Sequence, residues 1–228
     1  MNRTTPQGAT DAITRKLLVA GAVSGPLFIA TFLLEGMFRQ DYNPLRHPVS
    51  SLAIGELGWM QIVNFVVLAI LLFSFALGLR RIFTGPKGSK LGPLLIMFVA
   101  VGFLGAGLFV ADPLTGYPLG TPGVPVDRTL HGILHDVFST FFFLGFPVAG
   151  LVFAHMFHKQ KNAPWKWYSA VSAVAMYAAF VLANQGFKQN PDIVAYGGMW
   201  QRIAIIIALT YFSILAVRLL GRASRKTL

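Results

Sequence analysis

The residues best suited to chemistry in this sequence are two histidines, His131 and His135, followed directly by Asp136. Histidines four residues apart lie on one face of a helix, so both imidazoles can bind a single metal ion when other ligands complete the set. Asp136 lies about 100° further round that helix, where it can act as a base or pair with Arg202. The pattern predicts either a metal site, with zinc the expected ion, or histidines that hydrogen-bond to a loop and to nearby carboxylates.

Side chains elsewhere in the chain have the chemistry to complete such a site. Glu35, His47 and Asp112 are the further metal ligands to consider. Asp112 or Asp136 is expected to move protons in any catalytic step. The polar side chains predicted to bind a ligand are Glu35, Arg46, His47, Gln61, Asn64, Gln185 and Arg202.

Six long apolar segments must position these side chains. Each is long enough to cross a hydrocarbon core about 30 Å thick. In lipid every backbone amide must find its partner inside its own segment, so all six are predicted to be helices. The segments are Leu17–Gly36, Trp59–Leu79, Leu91–Ala111, Asp136–His155, Trp167–Gln185 and Arg202–Leu220. The predicted fold class is all-α: one bundle of six transmembrane helices in a polytopic membrane protein.

The polar residues of these segments collect near one end of the bundle. Glu35 ends the first segment, Gln61 and Asn64 begin the second, and Asp112 follows the third. Ionisable groups at membrane depth cost free energy and usually face a bundle interior or a water-filled cavity. We therefore expect an outward-facing polar cavity. The alternative is that these residues lie among the lipid head groups, as interfacial tryptophans do.

The loop charges predict the orientation. The net charge is +11, and the lysines and arginines concentrate at both termini and in the loops after the second and fourth segments. Because Lys/Arg bias in short loops decides topology, both termini are predicted to be cytoplasmic, with the chain in the plasma membrane. The basic surplus then favours anionic membrane lipids as partners, and no soluble face remains for nucleic acid. Cysteine is absent, which excludes thiolate metal sites and disulfides.

The charge and hydropathy pattern also divides the chain into three parts. Residues 1–16 are predicted to be a cytoplasmic tail, residues 17–220 the transmembrane domain, and residues 221–228 a basic cytoplasmic tail. No internal repeat and no second domain are expected.

The first outside loop, Met37–Gly58, interleaves aromatic and charged residues and is predicted to be an ordered lid. Within it, Ser50 or Ser51 could cap a short helix over Leu52–Leu57, which Gly58 would end.

Two further contacts are expected on the outside of the membrane. Asp127 or Thr129 is predicted to cap the fourth helix. Arg46 or His47 is predicted to reach the carboxylate of Glu35, Asp112 or Asp136, because few cations are available there to balance these acids.

Three features of the outside face together resemble a known prokaryotic family. They are the run Asp41–Leu52, the Ala111–Pro113 end of the third segment and the histidine pair. The family is a six-helix membrane family catalogued as a domain of unknown function, number nine hundred and ninety-eight, and the resemblance covers about residues 17–220. It implies the fold and topology given above and brings no assigned activity. Its hallmark positions are Arg46, His47, Ser50, Ser51, Asp112, His131 and His135.

The site chemistry is also similar to that of the ceramidase and adiponectin-receptor superfamily of intramembrane zinc amidases. That similarity implies catalytic roles for Ser51 and Asp112, and zinc ligation by His131, His135 and a third imidazole from His47. The chain departs from the pattern in having six helices instead of seven and its histidine pair on the fourth helix instead of the last. The likeness is one of site chemistry and not of kinship.

Three classes of function remain open. The first is an outward-facing His/Asp site that binds a lipid or small amphiphile, with metal-dependent hydrolysis or acid–base chemistry as its catalytic form. The second is a non-catalytic ligand-binding or transport protein, although no discontinuous helix pair indicates transport. The third is a membrane assembly protein. The sequence favours an external polar binding site.

The orientation can be tested with single cysteines, since the chain has none of its own. Lys87→Cys should be protected from a membrane-impermeant thiol reagent added from outside, and Gly120→Cys should react, because the basic loops stay in the cytoplasm. A reporter fused after Leu228 should likewise be cytoplasmic. The opposite labelling pattern would overturn the charge-based topology.

Overall fold

The computed structural model describes residues 12–224, and this part of the chain is helical apart from its loops. Six of its helices are long and apolar enough to cross a membrane. They are α1 (Ala12–Phe38), α2 (Gly58–Ile82), α3 (Leu91–Leu108), α4 (Leu130–Lys159), α5 (Ala163–Phe187) and α6 (Gly197–Ser224). Two short 3-10 helices, Val49–Ala53 and Val194–Tyr196, lie in the loops. The predicted fold class is confirmed.

Several helices extend beyond the apolar segments. α4 begins at Leu130, two turns before the predicted Asp136, because Thr129 caps it: the Thr129 hydroxyl accepts a hydrogen bond from the Gly132 amide at 3.0 Å. α1 begins at Ala12 inside the predicted cytoplasmic tail, and α6 continues through Ser224. The remainder of the two predicted tails, residues 1–11 and 225–228, lies outside the described residues.

The lid contains a different helix from the predicted one. A 3-10 helix at Val49–Ala53 replaces the expected Leu52–Leu57, and Gly58 begins α2 instead of ending the lid helix. Gly55, with φ of +84°, turns the chain after the 3-10 helix in a conformation that glycine adopts without strain. The predicted serine cap is wrong, because Pro48 precedes the helix and provides no side-chain hydrogen bond.

The six helices form a closed ring. Each packs against its neighbours in sequence, and α6 packs against α1. Glycine allows close approach at several of these interfaces, as is common between helices in lipid. A side chain at Gly25 would lie 2.8 Å from the Leu209 carbonyl oxygen of α6, and one at Gly150 would lie 2.8 Å from Ala173 of α5. The loops 39–57, 109–129 and 188–196 meet at one end of the ring, here called the lid end. The opposite end, which carries the first residues of α1 and the last of α6, is the termini end.

Aromatic side chains fill the middle of the ring. Phe75, Phe146, Tyr211 and Phe212 are fully buried. The Phe212 ring makes edge-to-face contacts with Phe75 at 6.3 Å and with Phe146 at 5.3 Å between centroids. Such contacts add to the burial of apolar area. The middle of the ring is therefore tightly packed, and the cavity inside the ring lies nearer the lid end.

Candidate functional site

The lid is ordered, as predicted, and is attached to the start of α6 by backbone pairing. The Gly198 amide donates to the Arg46 carbonyl at 3.1 Å, and the Met199 amide donates to the Leu45 carbonyl at 2.8 Å. A side chain at position 198 would lie 2.8 Å from the Pro44 carbonyl oxygen, so this close approach requires glycine. In addition, the Gln201 side-chain oxygen accepts from the Val49 amide at 2.7 Å. The lid helix therefore has a fixed position over the bundle.

Arg202 joins the lid to the bundle from below. Its side chain is buried, and one guanidinium nitrogen donates to the carbonyls of His47 and Gly198, each at 3.0 Å. The other terminal nitrogen donates to the Tyr42 hydroxyl. The guanidinium also lies 5.8 Å from the Phe32 ring centroid, within cation–π range. Arg202, predicted to bind a ligand, thus uses both terminal nitrogens to hold the lid.

Arg46 and His47 have partners other than the predicted carboxylates. Arg46 donates from Nε to the Thr115 carbonyl at 3.0 Å and from Nη2 to Gln189 at 3.4 Å. The His47 Nδ1 accepts from the Asn43 amide at 2.9 Å. Arg46 therefore connects the three lid-end loops to one another, the His47 ring is held within the lid, and the predicted ion pairs are wrong.

The carboxylates find their partners closer in sequence. The Glu35 carboxylate lies 3.9 Å from the guanidinium of Arg39, the residue that follows α1. Asp136 forms an ion pair with Arg128, and not with Arg202. Asp112 accepts hydrogen bonds from the backbone amide and the hydroxyl of Thr129, at 3.1 and 2.6 Å. Asp112 thereby fixes the residue that caps α4.

A cavity of about 460 Å³ lies beneath the lid. Its polar lining comes from the lid, the loop 109–129, α4, α5 with the residue that follows it, and α6, and comprises Ser50, Ser51, Asp112, Arg128, His135, Asp136, Ser139, Thr140, Asn184, Lys188 and Gln201. Its apolar lining includes Phe65, Phe103, Phe142, Phe143, Phe180, Phe187 and Ile205. Of the predicted catalytic residues, Ser51, Asp112 and Asp136 all line this space.

The two histidines of the predicted metal site lie in different environments. His135 is buried and lines the cavity, and its Nδ1 lies 3.1 Å from the Ala106 carbonyl and 2.8 Å from the Phe109 carbonyl. His131 is exposed, and its ring contacts Phe109 at 5.6 Å between centroids. The physical reason is that α3 ends at Leu108, so it covers His135 but not the residue one turn nearer the lid end.

No group of three or more His, Asp or Glu residues within positions 12–224 is arranged to hold a metal ion. The predicted zinc site at His131 and His135, with Asp112, Glu35 or His47 as further ligands, therefore has no support in the geometry. The His47 Nδ1 accepts a hydrogen bond within the lid, and Glu35 lies on α1 near Arg39.

None of the seven predicted ligand-binding residues lines the cavity: three of them, Arg46, His47 and Arg202, make contacts that hold the lid, and the other four lie elsewhere. Glu35, Gln61 and Asn64 are buried on α1 and α2, where the Asn64 amide nitrogen donates to the Phe28 carbonyl at 3.2 Å and to Gln61 at 3.1 Å. Gln185 is exposed. On α5 the neighbouring residue, Asn184, faces the cavity instead.

The prediction also missed two lining residues of α4, Ser139 and Thr140. Helical spacing could have found them, because Ser139 lies four residues after His135, and Thr140 lies four after Asp136. The cavity-lining face of α4 thus continues one turn deeper than the histidine pair suggested.

A six-helix apolar bundle whose polar residues meet beneath a lid defines a multi-pass membrane protein. A family profile described as "Protein of unknown function (DUF998)" matches residues 22–218. The chain belongs to this family, in agreement with the resemblance seen in its sequence. Comparisons with curated proteins and with solved structures gave no match.

The role of Arg202 can be tested by replacing it with lysine. Arg202→Lys keeps the charge but cannot reach the two carbonyls and Tyr42 together, and each hydrogen bond lost to a charged group costs roughly 1.5–3 kcal/mol. Amide hydrogen exchange over residues 42–53, followed by mass spectrometry, should become about ten-fold faster or more. Arg222→Lys, on the exposed end of the same helix, is the control and should leave exchange unchanged. Equal exchange in both variants would mean that Arg202 does not hold the lid.

The lid should also weaken in acid because of His47. Burial, together with the charges of Arg46 and Arg202, lowers the pKa of His47 to about 4 from an ordinary value of 6.5. Between pH 6.5 and 4 the unfolded segment binds a proton that the folded lid does not, so lid stability falls as the pH falls through this window. His47→Asn keeps an acceptor for the Asn43 amide and does not titrate. Its lid exchange, corrected for the intrinsic pH dependence, should lack the acid-induced loss that the wild type shows. The same pH dependence in the variant would contradict this assignment.

Proposed function

We propose that the lid-end cavity binds one lipid or small amphiphile. The observation that carries this proposal is the division of one partly open cavity into an aromatic floor and a polar rim. Phenylalanines from four different helices, Phe65, Phe103, Phe142 and Phe180, supply the floor. The volume of about 460 Å³ falls within the range of roughly 300–1,000 Å³ that is usual for small-molecule sites. An amphiphile fits because its apolar part can occupy the floor while its head meets the rim.

Hydrogen-bond donors without a partner on one side of the rim indicate the chemistry of the ligand's head group. The Ser51 hydroxyl is buried and has no partner. Gln201 accepts from Val49 through its oxygen, which leaves its NH₂ group free within the described residues. Asn184 and Lys188 add an amide and an ammonium group that make no hydrogen bond with the described residues. A buried donor without a partner costs about 1–3 kcal/mol, so a ligand oxygen would stabilise this arrangement.

The opposite wall carries the acid–base groups. Both partners of the His135 Nδ1 are carbonyl oxygens, which only accept, so this nitrogen carries the proton. In the neutral ring Nε2 is then an acceptor, and it is the ring nitrogen left to meet a ligand. Asp136 lies in the same wall, paired with Arg128.

This tautomer favours a second candidate function, metal-free hydrolysis of an ester or amide in the bound amphiphile. His135 would accept a proton through Nε2 from a water, or from the Ser51 hydroxyl, as the oxygen attacks the carbonyl carbon. It would return that proton to the alcohol or amine that leaves as the C–O or C–N bond breaks, and a second water, activated in the same way, would release an acyl group from Ser51. The support is that an unpartnered hydroxyl and a base with a fixed tautomer line one cavity.

The packing supports binding over transport across the bundle. Between the cavity and the termini end lie fully buried aromatic rings, among them Phe75, Phe146 and Phe212. Interiors packed in this way leave no room for a solute to pass without a large rearrangement.

We place the lid end outside the cell and both termini in the cytoplasm of a plasma membrane protein. Support comes from the described carboxylates, all of which lie toward the lid end: Glu35, Asp41, Glu56, Asp112, Asp127, Asp136 and Asp192. The loops at the termini end, around Arg80–Lys90 and Lys159–Lys166, are basic, as expected for cytoplasmic loops. The ligand would then come from the outer leaflet or from outside the cell.

Blocking the cavity tests the binding function. Ser139→Phe places a ring in the cavity without removing any hydrogen bond between described residues, and Val137→Phe adds the same ring on the exposed face of α4. With the full chain in phosphatidylcholine nanodiscs, binding of a fluorescent fatty acid should weaken about ten-fold or more in Ser139→Phe, since the ring takes the apolar part's place. Val137→Phe should bind as the wild type does. Equal affinity of all three proteins, with unchanged melting temperatures, would refute the proposal.

The same preparations separate the two candidate functions. Hydrolysis of a nitrophenyl ester with a medium-length acyl chain, lost in Ser51→Ala and in His135→Gln while fatty-acid binding persists, would establish catalysis. Binding without such hydrolysis would leave the site as a ligand-binding site.

A further inference from the structure

A second cavity lies at the termini end, between the start of α3 and the end of α4. It is an open groove of about 430 Å³. One wall is a single face of α4, made by residues spaced three or four apart: Val148, Leu151, Val152, His155 and Lys159. The other wall is the chain from Gly88 to Leu91, where α3 begins.

The groove is apolar along most of its length and basic at its outer end. Val148 is 48% exposed and Leu151 is 52% exposed, although both lie on a helix that crosses the membrane, so this wall faces lipid. Toward the end of the bundle the same stripe continues into His155 and Lys159, and Lys90 stands opposite. The groove therefore has the polarity of a membrane leaflet, apolar inside and charged at the surface.

These cations have no counter-charge in the described protein. No carboxylate lines the groove, and every aspartate and glutamate between residues 12 and 224 lies toward the lid end. Neither Lys90 nor Lys159 forms an ion pair with a described residue. Grouped cations of this kind attract an anion from their surroundings.

The basic end of the groove is held in place by local contacts. The Gln160 side chain donates to the Lys87 carbonyl at 3.0 Å, which ties the loop before α3 to the end of α4. The Ser89 hydroxyl accepts from the Gly92 amide at 2.9 Å and so fixes the first turn of α3 next to Lys90. The positive end of the α3 dipole adds to the field of the side chains. Lys90 and Lys159 thus stay on opposite walls of one site.

We propose that this groove binds one anionic phospholipid, with its phosphate at Lys90, His155 and Lys159 and an acyl chain along Val148 and Leu151. The length agrees with this occupant. The twelve residues from Val148 to Lys159 span about 16 Å of helix, close to half of a hydrocarbon core of about 30 Å. The site is separate from the lid-end cavity and does not depend on the function proposed for it.

Lipid binding to charge-matched variants tests the proposal. The full chain in a non-ionic detergent is titrated with phosphatidylglycerol, phosphatidylcholine or inorganic phosphate, and bound lipid is counted by native mass spectrometry. We expect the wild type to prefer phosphatidylglycerol over phosphatidylcholine. Lys90→Gln combined with Lys159→Gln should weaken phosphatidylglycerol binding about ten-fold or more, since each lysine near an anionic surface contributes roughly five-fold.

The control removes two other lysines from the same end. Lys16→Gln combined with Lys161→Gln changes exposed residues outside the groove and should leave binding unchanged. Equal loss in the control pair would show attraction to the whole basic end, and no preference for phosphatidylglycerol would show no anionic site. Protection against heat by inorganic phosphate alone, equal to that by the lipid, would show a phosphate site. Each of these three results would overturn the proposal.

Discussion

A guanidinium buried in a membrane protein needs hydrogen-bond partners, and the partners of the two terminal nitrogens of Arg202 determine how the lid end is built; its Nε has none among the described residues. The described residues offer this guanidinium no carboxylate, so it takes the carbonyls of His47 and Gly198 and the hydroxyl of Tyr42. A carbonyl can come that close only if the lid lies directly on the first turn of α6, which is possible because residue 198 is glycine. The roof of the cavity, including the unpartnered Ser51 hydroxyl, has its position because this cation needs solvation by the backbone.

The opposite wall depends on Asp112 in a comparable way. Its carboxylate holds the amide and hydroxyl of Thr129, and the Thr129 hydroxyl caps α4 through the amide of Gly132. This chain of contacts sets where α4 begins and therefore where His135 meets the last carbonyls of α3. Asp112 also contributes a negative charge at the positive end of the α4 dipole. Asp112, which the sequence predicts to be catalytic, is thus a positioning residue for the cavity wall that carries His135.

The sequence predicts the fold well because the length of an apolar segment is a local property. It predicts the ordered lid and the Thr129 cap for the same reason. It predicts the site less well, because Arg202 and His47 are 155 residues apart and Arg46 and Gln189 are 143 residues apart, and no spacing rule relates such positions. The predicted ion pairs of Arg46 and His47 are wrong since Arg39 and Arg128 lie closer to the carboxylates. Residues four apart share a helix face, and the histidine pair follows this rule. The rule cannot predict that α3 ends at Leu108 and leaves His131 uncovered.

Because the charges are separated along the bundle, different kinds of group lack a partner at its two ends. At the lid end, carboxylates and cations occur together: Asp136 pairs with Arg128, Asp112 accepts from the Thr129 amide, and Glu35 lies near Arg39, although its buried oxygens accept no hydrogen bond from the described residues. Around the apolar space of the cavity, donors of Ser51, Asn184, Lys188 and Gln201 remain without a partner among the described residues, which suits an amphiphile with an oxygen-rich head. At the termini end the described cations have no acidic residue beside them, so their counter-charge must come from outside the protein. The most abundant anion at that depth is a lipid phosphate, and a groove between α3 and α4 provides an apolar surface for the chain attached to it.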